Sequence, residues 1–154
     1  MKKLTSLRTY LDSKVPFLKD NPENLYLFVE NGRIISTLEE TPSFEYEYTA
    51  NIIIERYSGD QNVLIAVVND WLRKNQSDIS ANPAKRQQDF RFEAVILDNK
   101  TAHISIDLNL TERVLAIDND GKYVIEATPE PANPFNEWPM TRWMMILCVN
   151  LTVN

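Results

Sequence analysis

The residues in this chain most able to do chemistry lie along one alternating run. Its only histidine, His103, stands in Ala102-His103-Ile104-Ser105-Ile106-Asp107, where a period of two sends His103, Ser105 and Asp107 to one face of a strand. Glu93, on the preceding alternating run, lies near them if the two runs pair. A His/Asp/Glu cluster of this kind is a conceivable metal or acid–base site, whereas the material for nucleophilic catalysis, which needs a Ser or Cys beside a base, is thin with one histidine. The competing reading is simpler: polar residues alternating with apolar ones are what the outer face of an antiparallel sheet displays to water. That reading is favoured, and it makes no residue catalytic. With three glycines there is no Gly-rich phosphate loop, one cysteine forbids a CxxC pair, and neither HExxH nor an acidic calcium loop occurs. No cofactor and no metal are expected.

Partners are bounded by charge. The formal net charge of −6 and a pI near 4.8 give a field that repels nucleic acid, so tight DNA binding is not expected despite the local group Lys85, Arg86 and Arg91. Phe44, Tyr46 and Tyr48 form an aromatic stripe, but Glu45 and Glu47 interleave it where a base-stacking platform would carry cations. Core packing is the expected role of the stripe, and equally of Trp71. The single cysteine, Cys148, excludes an internal disulfide, and the first residues lack the apolar stretch of a secretory signal, so an intracellular protein is expected. The sequons at Asn109 and Asn150 are then chance matches.

The elements that would position these residues can be read in order. Leu4, Leu7, Tyr10, Leu11 and Val15 recur at helical spacing, and Pro16 ends that helix near Lys14, with a short turn over Phe17 to Asp20. Leu25–Glu30 and Arg33–Leu38 flank Asn31-Gly32, a pair suited to a two-residue hairpin turn. Phe44 to Tyr57 alternates for so long that a straight strand would reach roughly 45 Å, so it must bend or outgrow its sheet. Asp60 then caps a second helix whose Val63, Leu64, Val67, Val68, Trp71 and Leu72 share a face. Gln76 to Gln88 is polar and aperiodic and reads as a long loop. A further hairpin joins Phe90–Ile96 to Ala102–Leu110, and Asp120-Gly121 turns a last small one into Tyr123–Ile125.

With 154 residues the chain holds one domain, and Pro129, Pro131, Pro134 and Pro139 place its end near Thr128. Residues 129–154 are a Pro-rich linker and an apolar terminal segment, Trp143 to Val153, which is too short to span a bilayer as a helix. That segment reads as an added strand in its own sheet, a loose end, or a strand donated to a neighbour. The fold expected is α+β: a largely antiparallel or mixed sheet with two helices on one face, and with Phe44 to Ile54 against Val67 and Trp71.

Several segments, in order, resemble the tail completion protein R family of contractile-tailed phages. They are Ser6-Leu7-Arg8, Leu27-Phe28, Gly32-Arg33-Ile34, Ser43-Phe44-Glu45-Tyr46 with Tyr48, Asp70-Trp71-Leu72, Phe92-Glu93, Leu97-Asp98, and Leu110-Thr111-Glu112-Arg113-Val114. Phe44, Tyr46, Tyr48, Trp71, Phe92, Glu112 and Arg113 are the family-matching structural candidates. The resemblance implies a tail-terminator-like structural protein with no catalytic residues. It would cap the tail tube and ready it for head joining, as a ring of copies, commonly a hexamer. Its neighbours would be the tail tube protein and a head-completion or connector protein, and its place the virion tail, assembled in the bacterial host cytoplasm. A generic interaction adaptor, or a small enzyme centred on His103, are the alternatives.

Overall fold

The computed structural model describes residues 1–36 and 38–128; the expected linker and apolar segment at 129–154 lie outside the described residues. The chain runs α1 (Lys2–Lys14), α2 (Pro16–Asp20), a 3-10 turn at Pro22–Asn24, β1 (Leu25–Ser36), β2 (Phe44–Tyr57), α3 (Gln61–Asn75), α4 (Asp78–Ala81), α5 (Pro83–Gln88), β3 (Phe90–Ile96), β4 (Ala102–Asn119) and β5 (Lys122–Ala127). The sheet has the order β1-β2-β4-β3, with β5 paired to the far end of β4. Every pairing is antiparallel, so the α+β expectation holds and the mixed alternative falls away.

Local chemistry sets most boundaries. Pro16 pushes Val15 to an extended conformation, so α1 stops at Lys14 and the chain restarts as α2 with the proline in its first turn. Asp60 caps α3 by accepting from the Asn62 amide at 2.8 Å. Asp120 and Gly121, with φ of 52° and 82°, make the tight turn between β4 and β5 that their types favour.

Alternation in β2 and β4 then builds the core. Tyr48, Ala50, Ile52 and Ile54 on β2 meet Ile104, Ile106, Leu108 and Leu110 on β4, and all are buried under Leu7 and Leu11 of α1 and Leu64, Val68, Trp71 and Leu72 of α3. Val67 packs against this cluster as well, so α1 and α3 cover one face of the sheet as expected, although Val63, expected on the same face of α3, is exposed in its first turn.

Two expectations are corrected. Leu25 to Ser36 is one strand, and Asn31-Gly32 is a bulge within it: Glu30 pairs with Thr49 and Arg33 with Glu47, leaving both residues opposite Tyr48. Asn31 takes φ 51°, so the local preference for positive φ is satisfied, but by a bulge that twists the strand instead of a turn that reverses it. The reason is the partner: the uninterrupted alternation of β2 offers β1 a longer ladder than its own second half could. The polar stretch Gln76 to Gln88 is also no loop. It contains α4 and α5, the latter capped by Asn82, whose side chain accepts from the Ala84 amide, with Pro83 at its first position.

The long β2 does bend, through a second bulge. Ile54 pairs with Ile104 and Tyr57 with Ala102, so Glu55 and Arg56 together oppose His103, and Arg56 has φ 52°.

Replacing Asn31 with valine should lower stability by about 1–2 kcal/mol, because a β-branched residue is strained at positive φ, whereas glycine there should be near neutral. Urea unfolding midpoints of the two variants check this.

Candidate assembly surface

The outer face of the sheet carries the residues that first suggested chemistry, and the geometry separates them. His103 Nδ1 accepts from the backbone amide of Arg56 at 3.1 Å, so the imidazole satisfies the donor that the β2 bulge leaves without a ladder partner. Asp107 lies four residues on, about 13 Å along the strand. It accepts from Asn51 Nδ2 at 2.5 Å and stands 3.9 Å from Arg91. Ser105 accepts from the same Asn51 amide at 3.1 Å, and Glu93 is the cross-strand partner of Ser105, not of His103. Thr49 and Asn109 extend this polar ladder with a 2.9 Å bond. Among the described residues no cluster of His, Cys, Asp or Glu is fit to hold a metal ion, and no helix is long and apolar enough to cross a membrane.

A polar cleft of about 290 Å³ opens where α4 and α5 meet the sheet, lined by Arg33, Glu47, Asp78, Lys85, Asp89 and Asn109 among others. Its charges answer one another. Arg33 pairs with Glu47, Lys85 with Asp78 at 2.5 Å, and Asp89 accepts from Asn109 Nδ2 at 2.9 Å. Burial raises the Asp78 carboxyl, but hydrogen bonds from Lys85 and Gln76 outweigh it and hold the group below its ordinary value. Such a set is a structural clasp, with no unpaired base or nucleophile directed at the opening.

The family-matching residues fall into two groups. Glu112, buried on β4, accepts from Tyr48 Oη at 2.6 Å and from the Lys3 backbone amide at 2.9 Å, which places a carboxylate at the N-terminus of α1, where Met1 supplies no side-chain cap. Burial, then the bond to Glu112, raises the Tyr48 phenol, which therefore remains a donor over the whole working range of pH. Trp71 Nε1 donates to Ser6 Oγ at 3.1 Å and ties α3 to the same helix. Phe44 and Tyr46 pack edge to face with ring centroids 5.0 Å apart. Tyr48, Glu112 and Trp71 thus tie α1 to the sheet and to α3. Arg113 reaches Glu39 at 3.2 Å on the surface, and Phe92, 64% exposed on β3, is apart from them all.

Gln76 was not legible as important. It is 2% exposed, and its side-chain oxygen accepts from the Thr111 amide at 3.2 Å and from Lys3 Nζ at 2.5 Å, while its nitrogen donates to Thr111 Oγ1 and Asp78. The side chain thus stands in for a strand along the stretch of β4 between β3 and β5. Nothing in a polar run without periodicity signals this.

What remains for partners is extended backbone and apolar side chains. Among the described residues β1 and β3 are the outer strands of the sheet, and β5 pairs only with β4. Tyr26 and Phe28 stack on β1 at 6.4 Å and are 42% and 48% exposed. Ile117, Tyr123, Val124 and Ile125 are exposed on the β4–β5 hairpin, and Phe92, Val95 and Ile96 on β3. Exposed edges that carry large apolar residues are sites for pairing with another chain.

A family model described as P2 phage tail completion protein R (GpR) matches residues 1–131. Tail completion protein R of Escherichia phage P2 is 42% identical over 144 residues, which cover 94% of this chain and 91% of that relative. No solved structure matches the chain.

Two outcomes follow from the buried contacts. Glu112→Ala should cost about 2–3 kcal/mol, since it strands the Tyr48 hydroxyl and uncaps α1, and Glu112→Gln should cost less; urea denaturation measures both. For Asp78, a folded value below the unfolded one means that its contribution is complete above the ordinary Asp pKa, about 3.9, and is lost as pH falls through the lower folded value. Thermal melts between about pH 5 and pH 2 should therefore be flatter for Asp78→Asn than for the parent.

Proposed function

The chain belongs to the P2 phage tail completion protein R family, and we propose that it finishes the phage tail by capping the end of the tail tube and preparing it for the head. The observation that carries this reading is the agreement over nearly the whole length of both chains, 94% of one and 91% of the other. The protein is a structural component of the virion tail and works by contact with other tail components. In the finer reading, it sits on the tube as a closed ring of identical subunits, six in the simplest arrangement, with the tail tube protein on one side and a head-completion or connector protein on the other. Assembly takes place in the cytoplasm of the bacterial host.

Three features support the finer reading. A ring needs contacts between different patches that close on themselves, and the outer strands β1, β3 and β5 supply pairing surfaces on several sides. A net charge of −6 keeps a DNA duplex from sticking as it passes. The residues that hint at catalysis are each committed to a neighbour, His103 to the β2 bulge and Asp107 to Asn51, which supports a protein that catalyses nothing. Residues 1–128 are taken as the tail completion domain and 129–154 as its appendage, in keeping with a family match that ends at residue 131. Phe44, Tyr46, Tyr48, Trp71, Glu112 and Arg113 serve in this reading to hold the domain in shape, and Phe92 to meet a partner.

Electron microscopy of tails made without this protein tests the role. Overlong or headless tails are expected, and normal infectious particles would remove it. His103→Gln, which keeps an acceptor for the Arg56 amide, should leave tail completion unchanged; loss of function with intact folding would instead make His103 the centre of an activity.

A further inference from the structure

The described chain ends pointing at an open strand edge. Val114 pairs with Phe44 of β2 and with Ala127 of β5, so β5 lies on the edge of β4 away from β2, which is also the edge that carries β3. Both strands run antiparallel to β4, so they are parallel to each other and in line, and the chain leaves β5 heading toward β3. Thr128, the last described residue, still pairs there, its amide donating to the Arg113 carbonyl at 3.0 Å. β3 itself has no strand on its outward edge among the described residues. The amide of Asn109 donates to the Asp89 carbonyl and that of Leu97 to the Thr101 carbonyl, both at 3.0 Å, which fixes the phase of the ladder. Arg91, Glu93 and Val95 therefore turn their amides and carbonyls to β4, and Phe92, Ala94 and Ile96 turn theirs outward. Beside that edge a groove of about 480 Å³ separates α3 from β3, lined by Leu64, Ile65, Phe90, Phe92, Ala94 and Ile104 among others, and none of the described residues that line it is charged. Phe92 and Ile96 are 64% and 67% exposed.

We infer that residues 143–153 of the same chain add to this edge as an antiparallel strand and lay Leu147 and Val149 over the groove between α3 and β3. That leaves the edges of β1 and β5 to other tail components and makes the partner of Phe92 a segment of its own chain. Neither this placement nor the tail completion role depends on the other.

Composition and length argue for this occupant. Residues 143–153 carry no charge, as the groove carries none. Read at a period of two, Trp143, Met145, Leu147, Val149, Leu151 and Val153 form a wholly apolar row, while Asn150 and Thr152 fall in the other row with Met144, Ile146 and Cys148. The first row suits the helix-covered face, where Phe92 and Ala94 lie, and the second suits the face of Arg91 and Glu93. Residues 129–142, with four prolines, span about 43 Å at the rise of an extended Pro-rich chain. The far end of β3, Ile96 opposite Ala102, lies about 37 Å from Thr128 along β4. The linker thus delivers the segment just beyond Ile96, from where it returns antiparallel along β3. A parallel strand would begin beside Phe90, about 17 Å from Thr128, and would leave most of the linker slack. Centred on β3, the segment sets Ala94 across from Leu147, Phe92 across from Val149 and Glu93 across from Cys148. The last is a non-hydrogen-bonded pair, with Cα atoms about 4.5 Å apart and so within disulfide reach.

The test is made on the full chain, whose single native thiol, Cys148, reports against one introduced thiol. In Glu93→Cys, mild oxidation should consume both thiols and give a monomer that migrates faster on non-reducing gels. Arg91→Cys and Val95→Cys read registers displaced by two residues, and closure at any of the three supports the strand. Glu30→Cys, on the other outer strand, β1, should stay open. A disulfide-linked dimer in place of the closed monomer would put the segment of a second copy on the edge and overturn the inference. So would closure with Glu30→Cys, or no disulfide at any of the β3 positions. Hydrogen exchange gives a second reading that needs no introduced cysteine. The amides of Phe92, Ala94 and Ile96 should exchange at least about tenfold more slowly in the parent than in Leu147→Asp, whose circular dichroism should match the parent; equal rates overturn the inference. The tail completion role stands in every case, because it is read from tails lacking the protein altogether.

Discussion

The pairing of β2 with β4 is the contact on which the rest of the molecule is hung, twelve residue pairs from Phe44 opposite Val114 to Tyr57 opposite Ala102. Both strands are longer than any single neighbour needs, and each added element takes up part of that length. β1 lies along β2 throughout, β3 takes the first half of β4, and β5 takes the last third. The helices are attached by the same two strands, through the apolar rows Ala50 to Ile54 and Ile104 to Leu110 and through the buried Glu112 at the start of α1. Burying a carboxylate is costly unless donors meet it, and here Tyr48 and the Lys3 amide do so from β2 and α1 at once. One side chain thereby fixes the position of a helix against a ladder.

The ladder also decides where reactivity does not arise. Because side chains alternate strictly, the row that faces away from α1 and α3 gathers His103, Ser105, Asp107, Asn109 and Thr111 on one strand at intervals set by the backbone. Each then meets its cross-strand neighbour before it meets the next member of its own row. Asn51 bridges Ser105 and Asp107, Thr49 takes Asn109, Gln76 takes Thr111, and His103 takes the amide exposed by a bulge. A triad needs its members to converge on one point, and a strand spaces them apart.

Much of this was legible from residue order, where a signal depends on local chemistry or strict periodicity. Pro16 ending α1, Asp60 capping α3, Asp120-Gly121 turning the last hairpin and the alternation of Phe44 to Tyr57 are of that kind. The failures arose where one local signal serves two architectures. Asn31-Gly32 asks for a positive φ, and both a hairpin and a bulge provide it; the outcome depends on which strand β1 finds as partner, information that lies at Phe44 to Ile54 and not at the turn. Ser77-Asp78 and Asn82-Pro83 do carry starting signals for α4 and α5, but helices of four and six residues are too short to show an apolar period. Of the family-matching residues, Tyr48 and Glu112 could be named from sequence while their contact could not, since it joins positions 64 apart in the chain.

Long strands also explain why a small protein would leave apolar edges in water. Among the described residues the β4–β5 hairpin has little support, because beyond Val114 β4 pairs with no strand but β5, only the Ala116 amide reaching back to Ser43, and a two-stranded ribbon is marginal by itself. Trimming β4 to the length of β2 would remove the exposed Ile117, Tyr123, Val124 and Ile125 and improve the monomer, so their presence is costly unless something else covers them. Edge pairing to a further strand supplies that cover in the form the backbone already presents, with its donors and acceptors aligned before the partner arrives. Edge pairing of this kind costs little ordering entropy in the strands that meet, and its specificity comes from register, where a slip by one residue would turn every apolar side chain of the added strand to the other face.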